Sequence, residues 1–271
     1  MTEGAETSTP AAAFASLEER REAAIRAPIG REFHRPDTRV IERPGWYQVV
    51  TPSAPRGMLN EVVRSELAEA DADRVIDETV AIYREAGQPT KWCVGPWTRP
   101  AGFEALLARR GFTGWDVRGM GCATDLDVGS TRASVTVEEV TPDTLDAYLD
   151  TTLVGWGMGA EQVGPERAAH LDVFAEARRT AFFFSARVDG RVVGTAAILL
   201  RHGAGYLVGG VVLPEARGAG AYRALVAARL AFLRGRACGY AVTQAREATS
   251  APILERLGFE TLFRSTCWRL D

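Results

Sequence analysis

The sequence lacks a long hydrophobic run. Its longest candidate, residues 192–200, contains Gly194 and Thr195 and has the length of a strand, well short of the ~18 residues of a membrane span. Residues 1–10 are acidic and small polar, without the basic and apolar regions of a secretory signal. These absences set two expectations: no membrane partner and a cytoplasmic location. Cysteine is scarce. Cys93, Cys122, Cys238 and Cys267 are spread out with no CxxC pair, and read as small apolar strand residues in preference to a metal or redox site. The three histidines, His34, His170 and His202, have no ligand-like partner three or four residues away, so no metal is expected. There is no excess of positive charge: Lys and Arg number 32 against 35 Asp and Glu. Nucleic acid is therefore not an expected partner.

What is present describes a globular chain. The 271 residues are 46% apolar and 25% charged, enough for real cores in one large domain or two of about 100–150 residues. Residues 1–11 read as a disordered tail and 12–27 as a charged helix. Residues 28–45, with three prolines, read as a loop. Strands are expected at 46–51, 59–66, 91–95 and 117–126, with helices at 71–85, capped by Asp71 or Asp73, and at 100–110, stopped by Gly111. A polar linker at 127–132 separates a first domain, 12–127, from a second, 133–271. The second reads β–α–α–β–β–β–α–β–α–β. It has a helix start at Thr141-Pro142-Asp143, a glycine-rich loop at 155–159, a helix at 165–179 and an Asp189-Gly190 hairpin between strands 182–188 and 191–200. A strand at 240–243, a helix at 250–257 and a strand at 262–270 complete it.

The halves are related. Leu106-Leu107-Ala108-Arg109-Arg110-Gly111-Phe112 is similar to Ile253-Leu254-Glu255-Arg256-Leu257-Gly258-Phe259, an offset of 147 residues, and that offset carries the element order over residues 59–122 without a gap. Two structural repeats, packed side by side, are expected.

The most informative stretch is Val211-Val212-Leu213-Pro214-Glu215-Ala216-Arg217-Gly218-Ala219-Gly220-Ala221-Tyr222-Arg223. It reads as a strand stopped by Pro214, a glycine loop, and a helix whose buried face carries Tyr222, Leu225, Val226, Leu230 and Leu233. Arg229 interrupts that face, its stem packing there and its head reaching water. Gly218 and Gly220 suit a tight turn, and equally the presentation of N–H groups to an anion at the positive end of a helix. Under the 147-residue offset Asp71 and Asp73 stand opposite Gly218 and Gly220. Carboxylates there would occupy the anion position, so only the second repeat is expected to bind a phosphorylated cofactor.

With this element order, Arg217-Gly218-Ala219-Gly220-Ala221-Tyr222 resembles the Q/R-x-x-G-x-G/A loop of the GNAT acyltransferase superfamily, with Tyr222 departing at the last position, where it would narrow the loop or set a ring near the phosphates. The resemblance covers residues 133–270, and the first half looks like a degenerate copy. It implies an α+β fold of two tandem GNAT-like domains. Each is a mixed, mostly antiparallel sheet flanked by helices, and the central strands splay in the second. It implies acetyl-coenzyme A, or another acyl-coenzyme A, as co-substrate. Residues Arg217, Gly218, Ala219, Gly220, Ala221, Tyr222 and Arg223 would hold the pyrophosphate and Val211, Val212 and Leu213 the pantetheine, with Ser250 as a further contact. The thioester would lie where the strand ending at Leu213 parts from that at Tyr240, with Gly209-Gly210 as a bulge or a site of close packing. Many family members have a tyrosine acid where this chain has Leu254, and an asparagine where it has Glu247. Glu247 is the candidate base, against the plainer reading of a solvated loop carboxylate, and Tyr206 is the fallback proton donor. Trp156 and Met158 would wall the acceptor site, unless they are ordinary helix-end packing. The function implied is acetyl-coenzyme A-dependent N-acetylation of a small-molecule amine by direct attack on the thioester. The alternatives are non-acetylating acyl-coenzyme A chemistry, or a non-catalytic acyl-coenzyme A-binding protein whose first repeat serves as a partner or homodimer surface.

Overall fold

The computed structural model describes residues 16–31, 33–55 and 58–271. The expected tail at 1–11 and the first residues of the expected N-terminal helix lie outside them. In chain order the first repeat contains α1 (Leu17–Arg26), β1 (Arg39–Arg43), β2 (Trp46–Val50), β3 (Glu61–Ser65), α2 (Glu69–Glu85), β4 (Thr90–Val94), α3 (Phe103–Arg109) and β5 (Thr113–Ala123). The second contains β6 (Val135–Glu139), α4 (Leu145–Trp156), α5 (Val163–Ala175), β7 (Ala181–Val188), β8 (Arg191–Arg201), β9 (Ala204–Val212), α6 (Ala221–Gly235), β10 (Tyr240–Arg246), α7 (Ser250–Arg256) and β11 (Glu260–Leu270). Among the described residues no helix is long and apolar enough to cross a membrane.

The strands form one mixed sheet in the order β1-β2-β3-β4-β11-β5-β10-β9-β8-β7-β6. The repeats do not close two separate sheets side by side, as expected; they exchange their last strands. β5 of the first repeat pairs antiparallel with β10 of the second, and β11 of the second pairs antiparallel with β4 of the first. β5 and β11 pair with each other at the centre, where Val117 faces Ser265 and Arg118 faces Arg264. These two pairs interchange under the 147-residue offset, so an approximate twofold relation passes between them.

Apolar clusters fill the two faces. Ile76, Tyr83, Phe103 and Leu107 pack α2 and α3 on β2–β4, and Leu225, Leu230, Leu233 and Leu254 pack α6 and α7 on the second repeat. Opposite, α4 and α5 cover β7 and β8 through Leu145, Leu149 and Val173, while α1 straps the exchange through Ala23, Ala24 and Ala27. Each fully buried large side chain contributes about 1.5–3 kcal/mol. The strap is also polar: Arg21 Nε donates to Leu262 O at 2.9 Å, and Arg20 pairs with Glu260.

Four local expectations are corrected. Residues 39–43, read as loop, form β1, whose flanking charges mask its ladder with β2. Thr141–Thr144 is a turn, Thr141 N donating to Thr144 Oγ1 at 3.0 Å, so the helix begins at Leu145. Helix α4 runs through Trp156, and the expected 155–159 loop begins at Gly157, a left-handed C-cap. Neither Asp71 nor Asp73 caps α2. Both lie inside it, behind Ala68, and pair with Arg74 and Arg110.

Candidate functional site

The site is built where β9 leaves β10. These parallel strands pair only at Gly205–Ala241 and Tyr206–Val242. Beyond them β9 remains bonded to β8 but has no strand partner among the described residues on its other side, and Thr243 Oγ1, donating to Leu207 O at 2.8 Å, closes the vertex. The splay has a local cause. Val208 faces Ala197 and Val211 faces Thr195, so Gly209 and Gly210 stand opposite Ala196 alone. This two-residue bulge bends β9, with Gly209 at φ +65°. The backbone of residues 208–212 thus offers a free hydrogen-bonding edge facing the gap, the geometry required to receive an extended chain as a pseudo-strand.

Leu213 to Gly220 carry the backbone from the end of β9 into α6. Pro214–Ala216 is a short 3-10 turn, and Gly218 and Gly220 follow at φ +81° and +94°, where a side chain would strain the backbone. The first helical hydrogen bond is Ala224 N to Gly220 O, so the N–H groups of Ala221, Tyr222 and Arg223 have no acceptor within the helix. Arg217 and Arg223 belong to this turn. Arg132, which the sequence reading left in a linker, brings its stem to 3.7 Å from the point where a side chain at Gly220 would begin. Free N–H groups, a helix N-terminus and these arginines suit a pyrophosphate. Nothing marked Arg132 in the sequence, because its place depends on how the linker returns across the start of α6.

The first repeat has no such loop. Only residues 66–68 separate β3 from α2, against 213–220 between β9 and α6. The residues before the two helices are Ala68 and Gly220, so Asp71 and Asp73 do not stand opposite the glycines. The offset that holds at α3/α7 and β5/β11 is three residues larger at the start of β4 and β10, so the gap-free alignment fails at this loop. The contrast between the repeats stands on loop length, not on carboxylates.

The remaining candidates divide. Val211 and Val212 lie on β9 beyond the bulge, and Leu213, expected as the strand's last residue, follows its end and caps the 3-10 turn. Gly155 approaches so closely that a methyl group there would meet Val211 at 2.7 Å, which brings the end of α4, with Trp156 47% exposed, against β9; Met158 follows just after the helix. Ser250 opens α7, packed on β10. Tyr222 takes its expected place on the inner face of α6, its ring 3.3 Å from where a side chain at Gly210 would begin, and so does not set a ring near the phosphate loop. Arg229 does not reach water. It is 2% exposed, Nε donating to Leu225 O at 3.0 Å and Nη1 to Ala197 O at 3.2 Å, and burial pushes its pKa down to about 10. It fills the space behind the bulge as a cation without a carboxylate partner among the described residues.

Glu247 lies on the turn after β10 with its side chain 33% exposed, as a partly solvated loop carboxylate, and it is held in ion pairs. Arg118 grips both carboxylate oxygens, and Arg264 Nη1 donates to Oε2 at 2.9 Å. The hydrogen bonds from Arg118 lead the causes that hold its pKa at about 2, so at neutral pH it has little tendency to take a proton. Leu254 is buried in the α6–α7 core. Tyr206 stands at the vertex, and burial raises its pKa and keeps the hydroxyl protonated. His170 is a core residue, 4.5 Å from the Phe183 ring, with Nδ1 on Glu166 O at 2.7 Å. A cavity of about 410 Å³ lies outside the gap, between β4, α3, β5 and β11, lined by Glu104, Asp116 and Arg264.

Residues 141–259 match the family described as Acetyltransferase (GNAT) family. No curated protein matches the sequence. Among solved structures, a functionally unknown conserved protein from Staphylococcus epidermidis aligns with TM-score 0.68 at 13% identity over 89% of this chain and 97% of its own. A GCN5-related N-acetyltransferase from Kribbella flavida aligns with TM-score 0.62 at 15% identity over 93% of both chains. A tandem GNAT protein from the clavulanic acid biosynthesis pathway aligns with TM-score 0.59 at 16% identity over 94% of both. At these identities the likeness is one of fold, and it spans both repeats. Residues 141–259 thus carry a GNAT acetyltransferase-family domain, in a molecule whose fold is similar over both repeats to that of a tandem GNAT protein.

Proposed function

We propose that the second repeat transfers an acyl group from acetyl-coenzyme A, or a related acyl-coenzyme A, to the amine of a small molecule. The observation that carries this reading is the joining of the β9–β10 splay to the Leu213–Gly220 loop: a free strand edge leads directly into a cradle for a pyrophosphate. Backbone N–H groups at the head of α6, with Arg217, Arg223 and Arg132, would hold the phosphates, and residues 211–213 the pantetheine arm. When bound, the thioester supplies an electrophilic carbonyl. A backbone N–H beyond the bulge would stabilise the oxyanion. Tyr206 is the proton donor that remains once Leu254 and Glu247 are set aside, and an amine reaching the gap would lose its proton to water. Trp156 and Met158 would set the acceptor's side of the gap.

Thiol release measured across a panel of amines tests the reaction. Turnover with at least one amine, lost in Gly220→Glu, is expected. Tight coenzyme A binding without turnover on any amine would favour the second reading, a non-catalytic acyl-coenzyme A-binding protein. The capture of Glu247 by two arginines favours that reading, since it removes the one carboxylate that the family resemblance offered as a base.

A further inference from the structure

Cys93 and Cys267 are far apart in the sequence, yet the strand exchange places them directly opposite one another, Cys267 of β11 against Cys93 of β4. Both are free thiols, 2% and 6% exposed, on the face strapped by α1. Residues opposed in an antiparallel pair have Cα atoms about 4.5–5.5 Å apart. That lies inside the range a disulfide spans, about 4.4–6.8 Å, so a bridge here needs no rearrangement of the strands.

The surroundings are charged. The Glu61 carboxylate and the two sulfurs have ligand atoms within 4.8 Å of one another, and Lys91 Nζ donates to Glu61 Oε2 at 2.9 Å. The Lys91 and Glu61 side chains are 31% and 23% exposed, so this ion pair forms the solvent side of the thiol pair. An ammonium on the carboxylate opposes a metal cation, but it favours a thiolate. The hydrogen bond from Cys93, followed by the Lys91 charge, holds the Cys267 thiol below its ordinary range; the same bond and burial push Cys93 up. Of the two sulfurs, Cys267 is therefore the more readily deprotonated. Arg246 adds to the positive field at Cys267, and the Tyr206 hydroxyl lies in the field of Glu61, Lys91 and Cys93.

We infer that Cys93 and Cys267 are a peroxide-oxidisable pair whose cross-strand disulfide joins the two repeats covalently. The Cys267 thiolate attacks one oxygen of hydrogen peroxide, the O–O bond breaks, and the departing hydroxide takes a proton to leave as water, giving a sulfenic acid. Cys93 then attacks the Cys267 sulfur, the S–O bond breaks, and the hydroxyl leaves with the Cys93 proton as a second water. Two thiols lose two electrons and two protons, and one peroxide is reduced to two waters. The closed bridge ties β11 to β4 and restrains the unfolded chain across nearly two-thirds of the sequence.

The test treats the folded full chain with hydrogen peroxide, blocks remaining thiols, and digests it without reductant. The expected product is one cross-linked peptide pair carrying Cys93 and Cys267, lighter by about 2 Da than the two reduced peptides and restored by a dithiol. Oxidised chain should unfold at a higher urea concentration than reduced chain. Cys93→Ser should give no cross-link and a sulfenic acid on Cys267 that a 1,3-dione captures. Lys91→Met should slow cross-linking by about 10-fold with an unchanged circular dichroism spectrum. Absence of the Cys93–Cys267 peptide in the unsubstituted chain would overturn the inference, as would equal yields of links to Cys122 or Cys238.

Discussion

At the scale of the residue, partners decide what Glu247 can do. Glu247→Gln keeps the shape but removes the charge that Arg118 and Arg264 share. Its folded pKa of about 2 lies below the ordinary 4.5, so its contribution to stability is fully present above pH 4.5 and lost as pH falls toward 2. Urea midpoints taken across that window should show the unsubstituted chain losing stability more steeply than the variant, while any transfer rate at neutral pH stays unchanged. A rate that collapses in the variant would restore Glu247 as the base. Gly220 is a second such residue: at φ +94° a glutamate is strained and brings a negative charge to the cradle, and coenzyme A affinity should fall by about 100-fold in a calorimetric titration. The glycine loop was legible because left-handed turns need glycine. The capture of Glu247 was not, because Arg118 belongs to the other repeat and reaches it only through the exchanged strand.

At the scale of the element, the glycines of β5 change meaning. In the sequence Gly119 and Gly121 weaken a strand. In the fold they are where aromatic rings of the neighbouring strands lie across it: a methyl group at Gly119 would stand 2.2 Å from the Phe263 ring, and one at Gly121 2.7 Å from Tyr240. Gly119→Val should therefore cost about 1–3 kcal/mol or more in a urea melt, since the centre of the sheet cannot yield. A neutral result would mean that β5 is not pinned between β10 and β11. Most elements announced themselves by apolar period and by proline or glycine stops. β1 did not, because its paired backbone hides behind Arg39, Glu42 and Arg43.

At the scale of the whole molecule, the repeat was legible but its consequence was not. The apolar residues of β5 and β11 mark them as strands but fit either a sheet kept within each repeat or one shared between them, because the choice of neighbouring strand is not written in a strand's own apolar content. Only the assembled sheet shows the exchange, and only the exchange brings Cys93 to Cys267 and Arg118 to Glu247. The likeness to solved structures covers both repeats in fold, yet the loop proposed to hold the pyrophosphate is built once: residues 213–220 in the second repeat have only residues 66–68 as counterpart in the first. The central claim is therefore one of number. Isothermal titration of the full chain with coenzyme A should give a stoichiometry of one per chain. A stoichiometry of two, or no binding at all, would contradict it.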